Sequence, residues 1–178
     1  SKVEEVLKRL ERLIRELKRL MDEVREDNRE VLERLERYAE RNERENRELL
    51  KKLEDVARRR SPREELRREL KEIHDRNRKS IEELEDRLRK VHERNRDIIR
   101  RLRETLRKIE EDLKELTKDG VSKEELDKML KTAERVLREI EKDIEKLDRD
   151  LKRVVERIRD RSRRLDEAAE EIVRRIED

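Results

Sequence analysis

Apolar residues recur at steps of three and four from one end of the chain to the other. The first stripe runs through Val3, Leu7, Leu10, Ile14, Leu17, Met21, Val24, Asn28, Leu32, Leu35, Ala39, Asn42, Asn46, Leu50, Leu53 and Ala57. Its mean step is about 3.6 residues, the period of an α-helix that turns one face to a core. Leu66 to Leu116 and Leu126 to Ile176 keep nearly the same period. Strict heptads would step by about 3.5 residues and impose a left-handed supercoil, so this spacing predicts long, nearly straight helices in a rod.

Three starts punctuate the pattern. Ser1-Lys2-Val3-Glu4, Ser61-Pro62-Arg63-Glu64 and Ser122-Lys123-Glu124-Glu125 each place a serine N-cap three residues before a glutamate. In such a box the serine oxygen and the glutamate carboxylate each satisfy an amide that the helix leaves open. Pro62 falls at the first helical position, and Val121 with Leu126 form a hydrophobic staple. Gly120 supplies the left-handed residue that closes the preceding helix. The expected helices span roughly residues 2–59, 62–118 and 123–177, each on the order of 85 Å long. Connections this short turn consecutive helices antiparallel. The expected fold is all-α, a single up-down-up three-helix bundle over residues 1–178.

Polar residues interrupt the stripes in a repeated way. His74-Asp75-Arg76-Asn77 and His92-Glu93-Arg94-Asn95 lie eighteen residues apart, five helical turns, so each His/Asn pair shares one face with the other. If residues 57 and 63 lie level across the first turn, Asn28 stands level with His92 and Asn46 with His74. Across the second turn the level positions are Asp148 and Asp166, again eighteen apart. Asn42, Ser80 and Ser162 form a third group at a height between these two. Neutral imidazole offers a donor and an acceptor, an amide offers both and a carboxylate only accepts, so such a set can satisfy itself. A buried polar group left unpaired costs about 1–3 kcal/mol, which penalises mispaired registers. In the alternative arrangement, Asp148 and Asp166 stand at the edge of the stripe and face water. If the aspartates pair with the histidines, protonating the imidazoles strengthens the fold. If the histidines are buried with amides alone, acid weakens it.

Composition narrows the class without changing this picture. Of 178 residues, 60% are charged and 30% hydrophobic, and one Gly and one Pro leave little room for turns between strands. The net charge of +3 is the remainder of 55 basic and 52 acidic residues, interleaved rather than blocked. The sequence pI of 9.1 therefore overstates basicity. There is no cysteine, no apolar run long enough for a membrane and no signal-peptide pattern.

Repeated Ser-x-x-Glu caps, a Glu/Lys/Arg surface, near-absence of aromatics, three equal helices and duplicated Asn/His layers together resemble de novo designed helical bundles with buried hydrogen-bond networks. The resemblance covers the whole chain and is one of style. It implies a structural scaffold with no natural biochemical activity. Designed relatives include free-standing bundles, halves of heterodimers and cages that hold a removable helix. A spectrin-like repeat is the nearest natural likeness, but these helices are too long and its usual core tryptophan is missing.

Other chemistries fare worse. Along a straight helix the histidines stand roughly 27 Å apart and cannot share an ion, and each layer offers too few ligands for zinc. Neither a metal nor a cofactor is expected. Ser80 and Ser162 have no glycine-rich loop or elbow around them, so no enzyme is expected either. Arg58, Arg59 and Arg60 approach Arg161, Arg163 and Arg164 at one end, yet acidic residues intervene at nearly every turn and no aromatic platform exists for bases. A solvated face explains them better than nucleic acid. Doubled positions at Leu13/Ile14, Leu49/Leu50, Val136/Leu137 and Val154/Val155 either fill the core or flank a groove for another helix. A monomer is the expectation, and a component that self-associates or binds partner helices is the alternative.

Overall fold

The structure, a computed structural model, describes residues 2–60, 62–118, 120 and 122–177, except the side chains of Lys2, Val3, Val6, Leu116 and Glu177. Three helices account for nearly all of it: α1 (Lys2–Arg58), α2 (Arg63–Lys118) and α3 (Lys123–Glu177). The chain is an all-α three-helix bundle, with no strand among the described residues. Each helix has acidic residues in its first turn, such as Glu64 and Glu65, and a basic residue in its last, such as Lys118. Both placements favour the helix dipole.

The ends differ slightly from the sequence expectation. α1 stops at Arg58, and the Arg59 and Arg60 amides donate to Asp55 and Ala57 carbonyls at 3.1 and 3.3 Å. Arg60 then turns left-handed, with φ of 54°, a conformation an L side chain adopts only with strain. At the head of α2, the Pro62 carbonyl accepts the Glu65 and Leu66 amides, so the helix begins at Arg63. The second connection follows the expectation more closely. Gly120 takes φ of 89°, and the Ser122 carbonyl accepts the Leu126 amide at 3.4 Å. The caps expected at Ser1 and Ser61, and Val121 of the staple, lie outside the described residues.

Contacts between helices fix their directions. On α1 and α3 partner numbers rise together, Arg25 with Glu139 and Glu43 with Arg157, so these helices are parallel. On α2 and α3 they run opposite ways, Arg103 with Glu141 and Glu85 with Arg159. The order is therefore up-down-up.

Packing divides the chain into two compact units, and each helix contributes a segment to both. The first comprises Ser1–Val31 and Val91–Asp148. Its core packs Leu17 and Val24 of α1 and Leu102 of α2 against Val136, Leu137, Ile140 and Ile144 of α3. Leu10, Leu113 and Leu126 form a second cluster in the same unit. The second unit comprises Leu32–Lys90 and Arg149–Asp178. Leu49, Leu53 and Val56 meet Leu66 and Ile73 of α2 and Leu165, Ala169 and Val173 of α3 there. Full burial of one such side chain contributes about 1.5–3 kcal/mol. In this unit the Arg87 guanidinium also sits over the Tyr38 ring, 5.3 Å from its centre. The doubled apolar positions are mostly covered. Leu49, Val136, Leu137 and Val155 are buried, and Leu13, Ile14, Leu50 and Val154 are half-buried. Among the described residues Ile176 is the one large hydrophobic classed as exposed.

Candidate functional site: two polar layers

The second unit holds the better-connected layer. Asn46 on α1, Asn77 on α2 and Ser162 on α3 are buried. Asn77 Nδ2 donates to Asp166 Oδ1 at 2.8 Å and to the Ser162 carbonyl at 3.1 Å. His74 Nδ1 lies 3.0 Å from the same Asp166 oxygen, while its Nε2, across the ring, lies 3.5 Å from Glu170. One carboxylate oxygen thus gathers both polar residues of α2. The side chains of His74 and Asp166 remain 35% and 31% exposed. They stand at the edge of the seam, where the carboxylate keeps part of its hydration.

In the first unit the same residue types occur, with fewer bonds. Asn28 and Asn95 are buried, and His92 Nδ1 lies 3.0 Å from Asp148 Oδ1, both side chains about a third exposed. That oxygen accepts no hydrogen bond, so the approach has ion-pair distance without hydrogen-bond alignment. Both polar atoms of Asn28 and of Asn95 lack a partner. In the second unit, Asn46 Nδ2, Asn77 Oδ1, Ser162 Oγ and Glu43 Oε1 lack a hydrogen-bond partner too. The third group is present once: Asn42 and Ser162 are buried and Ser80 is half-buried. The positions eighteen residues from these are Val24, Ile98 and Ile144, which belong to the apolar core of the first unit.

Of the positions expected to be level, the structure joins His74 and Asn77 to Asp166 and His92 to Asp148. The asparagines are interior, whereas the histidines and aspartates are marginal and paired. His74 follows the fully buried Ile73 by one residue, about 100° round the helix, which carries it off the centre of the seam. Asn28, expected level with His92, makes no hydrogen bond to it.

A set of charged residues flanking the layers escaped the sequence reading. In the first unit Arg25 of α1 pairs with Asp143, by a short hydrogen bond, and with Glu139 at 3.9 Å. The Asp143 bond raises the Arg25 pKa above its ordinary value, against a smaller opposing effect of desolvation. Arg103 of α2 pairs with Glu141 at 2.7 Å. In the second unit Glu43 of α1, only 11% exposed, pairs with Arg157 at 3.1 Å and with Arg161. Glu85 of α2 pairs with Arg159. Applying the eighteen-residue offset to charged positions as well as to amides would have found them.

Among the described residues no three metal-ligating side chains converge. At His74 the reason is visible, because its two carboxylate neighbours lie on opposite ring nitrogens. A surface groove of about 440 Å³ in the first unit is lined by Arg96, Ile99, Arg100, Arg103, Glu104 and Arg107. Asp97 already holds Arg100 and Glu141 holds Arg103, so part of its positive charge is neutralised within the chain. No described helix is long and apolar enough to cross a membrane. No family model, curated protein or solved structure matches the chain.

Proposed function

We propose that the chain is a de novo designed helical bundle whose role is structural, and that its polar layers set helix register. It performs no catalysis and carries no cofactor in this reading. The observation that carries it is the convergence on Asp166 Oδ1, where Asn77 donates at 2.8 Å and His74 stands at 3.0 Å. A carboxylate with two such neighbours on α2 penalises slips of a few residues between α2 and α3, which leave the Asn77 amide among apolar side chains. The unpartnered atoms of Asn28 and Asn95 fit the same reading, since polar residues kept in a core for specificity diminish stability. Coverage of the doubled apolar positions favours a self-contained bundle over a component awaiting a partner helix.

The test replaces Asn46, His74 and Asn77 together with Leu and places spin labels on the exposed residues Lys79 and Arg163 of α2 and α3. The expected result is a folded, more stable protein whose label-to-label distances spread over more than one population. A single narrow population, unchanged from the parent, would overturn the register role.

A further inference from the structure

The polar layers carry an ambiguity of their own. Asn28 and Asn46, His92 and His74, Asn95 and Asn77, Asp148 and Asp166 repeat at an offset of eighteen residues. A helix displaced by five turns therefore brings the same polar types level again. Amides and imidazoles cannot tell the two heights apart.

The flanking charges can. Adding eighteen to Arg25, Glu139 and Asp143 gives Glu43, Arg157 and Arg161. The first set is an arginine of α1 held by two acids of α3, and the second is a glutamate of α1 held by two arginines of α3. On the other side of α3 the same inversion occurs. Arg103 of α2 pairs with Glu141, and eighteen residues along each helix Glu85 pairs with Arg159. Both faces of α3 are thus acidic at one height and basic at the next, and α1 and α2 carry the complement.

We infer that this inverted charge pattern distinguishes the two heights along the flanks of the seam, fixing α3 in one alignment against α1 and α2 and acting against the alignment displaced by eighteen residues. The inference rests on the polar layers being register elements. In the displaced arrangement every pair at the overlapping height becomes a like-charge pair: Arg25 with Arg157 and Arg161 and Arg103 with Arg159, or Glu43 with Glu139 and Asp143 and Glu85 with Glu141. Exposed attractive pairs are weak singly, but like charges held opposite one another act in the same direction at every position. Within one chain the short turn after Lys118 already resists so large a displacement. Between chains the one other element that does is the unrepeated Asn42/Ser80/Ser162 group, whose counterparts eighteen residues away are the apolar Val24, Ile98 and Ile144. An α3 that engaged a second copy five turns out of step would leave about a third of its 55 residues free for a third copy, a head-to-tail contact that does not close. The charge inversion acts against that staggered assembly.

The experiment reverses the six α3 charges in the full chain: Glu139→Arg, Glu141→Arg, Asp143→Arg, Arg157→Glu, Arg159→Glu and Arg161→Glu. Net charge and every polar-layer residue stay as they are. At low ionic strength the expected result is a mass by light scattering that rises with concentration above the parent's, together with a lower denaturant midpoint. Adding Arg25→Glu, Arg103→Glu, Glu43→Arg and Glu85→Arg should restore both, and molar salt should diminish the difference. A six-fold variant with the parent's mass and midpoint would overturn the inference. So would a ten-fold variant that fails to recover, including the case in which neither folds, since the defect would then lie in the helices and not in their pairing. Failure here, with the Leu replacements at Asn46, His74 and Asn77 behaving as expected, would leave the polar-layer reading standing.

Discussion

Asn77 and Asn95 occupy equivalent places on α2, five turns apart, yet Asn77 donates twice to α3 while neither end of the Asn95 amide finds a partner. Identical side chains at matched positions therefore differ in what they contribute. Replacing Asn95 with Leu removes two unpaired buried atoms and is expected to raise unfolding stability by about 1–3 kcal/mol. Asn77→Leu gives up two hydrogen bonds and is expected to gain less or to lose. Urea denaturation of the two single variants checks the ordering, and equal gains would contradict it.

The aspartates are expected to differ in the same sense. Asp166 receives Asn77 and His74, whereas Asp148 has only the His92 contact, without hydrogen-bond alignment. Asp166→Ala should therefore destabilise more than Asp148→Ala, by about 1–2 kcal/mol, because it removes one of the two hydrogen bonds of the buried Asn77 amide as well as the carboxylate beside His74. The His92/Asp148 coupling, read from a double-mutant cycle, should stay within about 0.2–1 kcal/mol, since both groups are a third exposed.

The two connections invite opposite substitutions. Arg60 is left-handed at φ 54° and carries a Cβ, so Arg60→Gly is expected to stabilise by about 0.5–1 kcal/mol. Gly120 is left-handed at φ 89°, and a Cβ there would meet nothing within 4 Å. Gly120→Ala should nevertheless destabilise by about 1 kcal/mol, from backbone strain alone. Thermal unfolding of both variants measures the pair, and a loss in Arg60→Gly would show that its side chain contributes more than its backbone strains.

Asp86 gives a pH signature. Hydrogen bonds from Arg89 and then Lys90 hold its carboxyl below the usual aspartate value. A carboxyl whose folded pKa is depressed adds stability above its unfolded pKa of about 3.9, and loses it as pH falls through the lower folded value. The Asp86 side-chain resonance should titrate at lower pH than in a model peptide and move back toward it in Arg89→Ala. An unmoved titration would remove Arg89 as the cause.

Most of the fold was legible in the sequence because local chemistry and long-range pattern agree. The Ser-x-x-Glu starts, Gly120 and a period near 3.6 place three helices within a residue or two of their observed ends. Pairing by height across the turns brought His74 to Asp166 and His92 to Asp148. Two things were not legible. Height along a bundle does not fix rotation about a helix, so level positions such as those expected of Asn28 and His92 need not share a hydrogen bond, and these two do not. The left-handed turn at Arg60 had no glycine to announce it; chain reversal imposes that geometry whatever residue stands there.

Tyr38, beneath the Arg87 guanidinium, is the chain's one aromatic side chain apart from its two imidazoles. With no tryptophan or phenylalanine present, it is also the protein's entire near-ultraviolet chromophore. Tyrosine emission therefore watches the second unit alone, and the arginine above the ring makes that signal sensitive to how α1 and α2 sit together there. The first unit is optically silent. Any account of how the halves fold in time will need a dye or an added ring among Leu17, Leu102 and Ile140 to be seen at all.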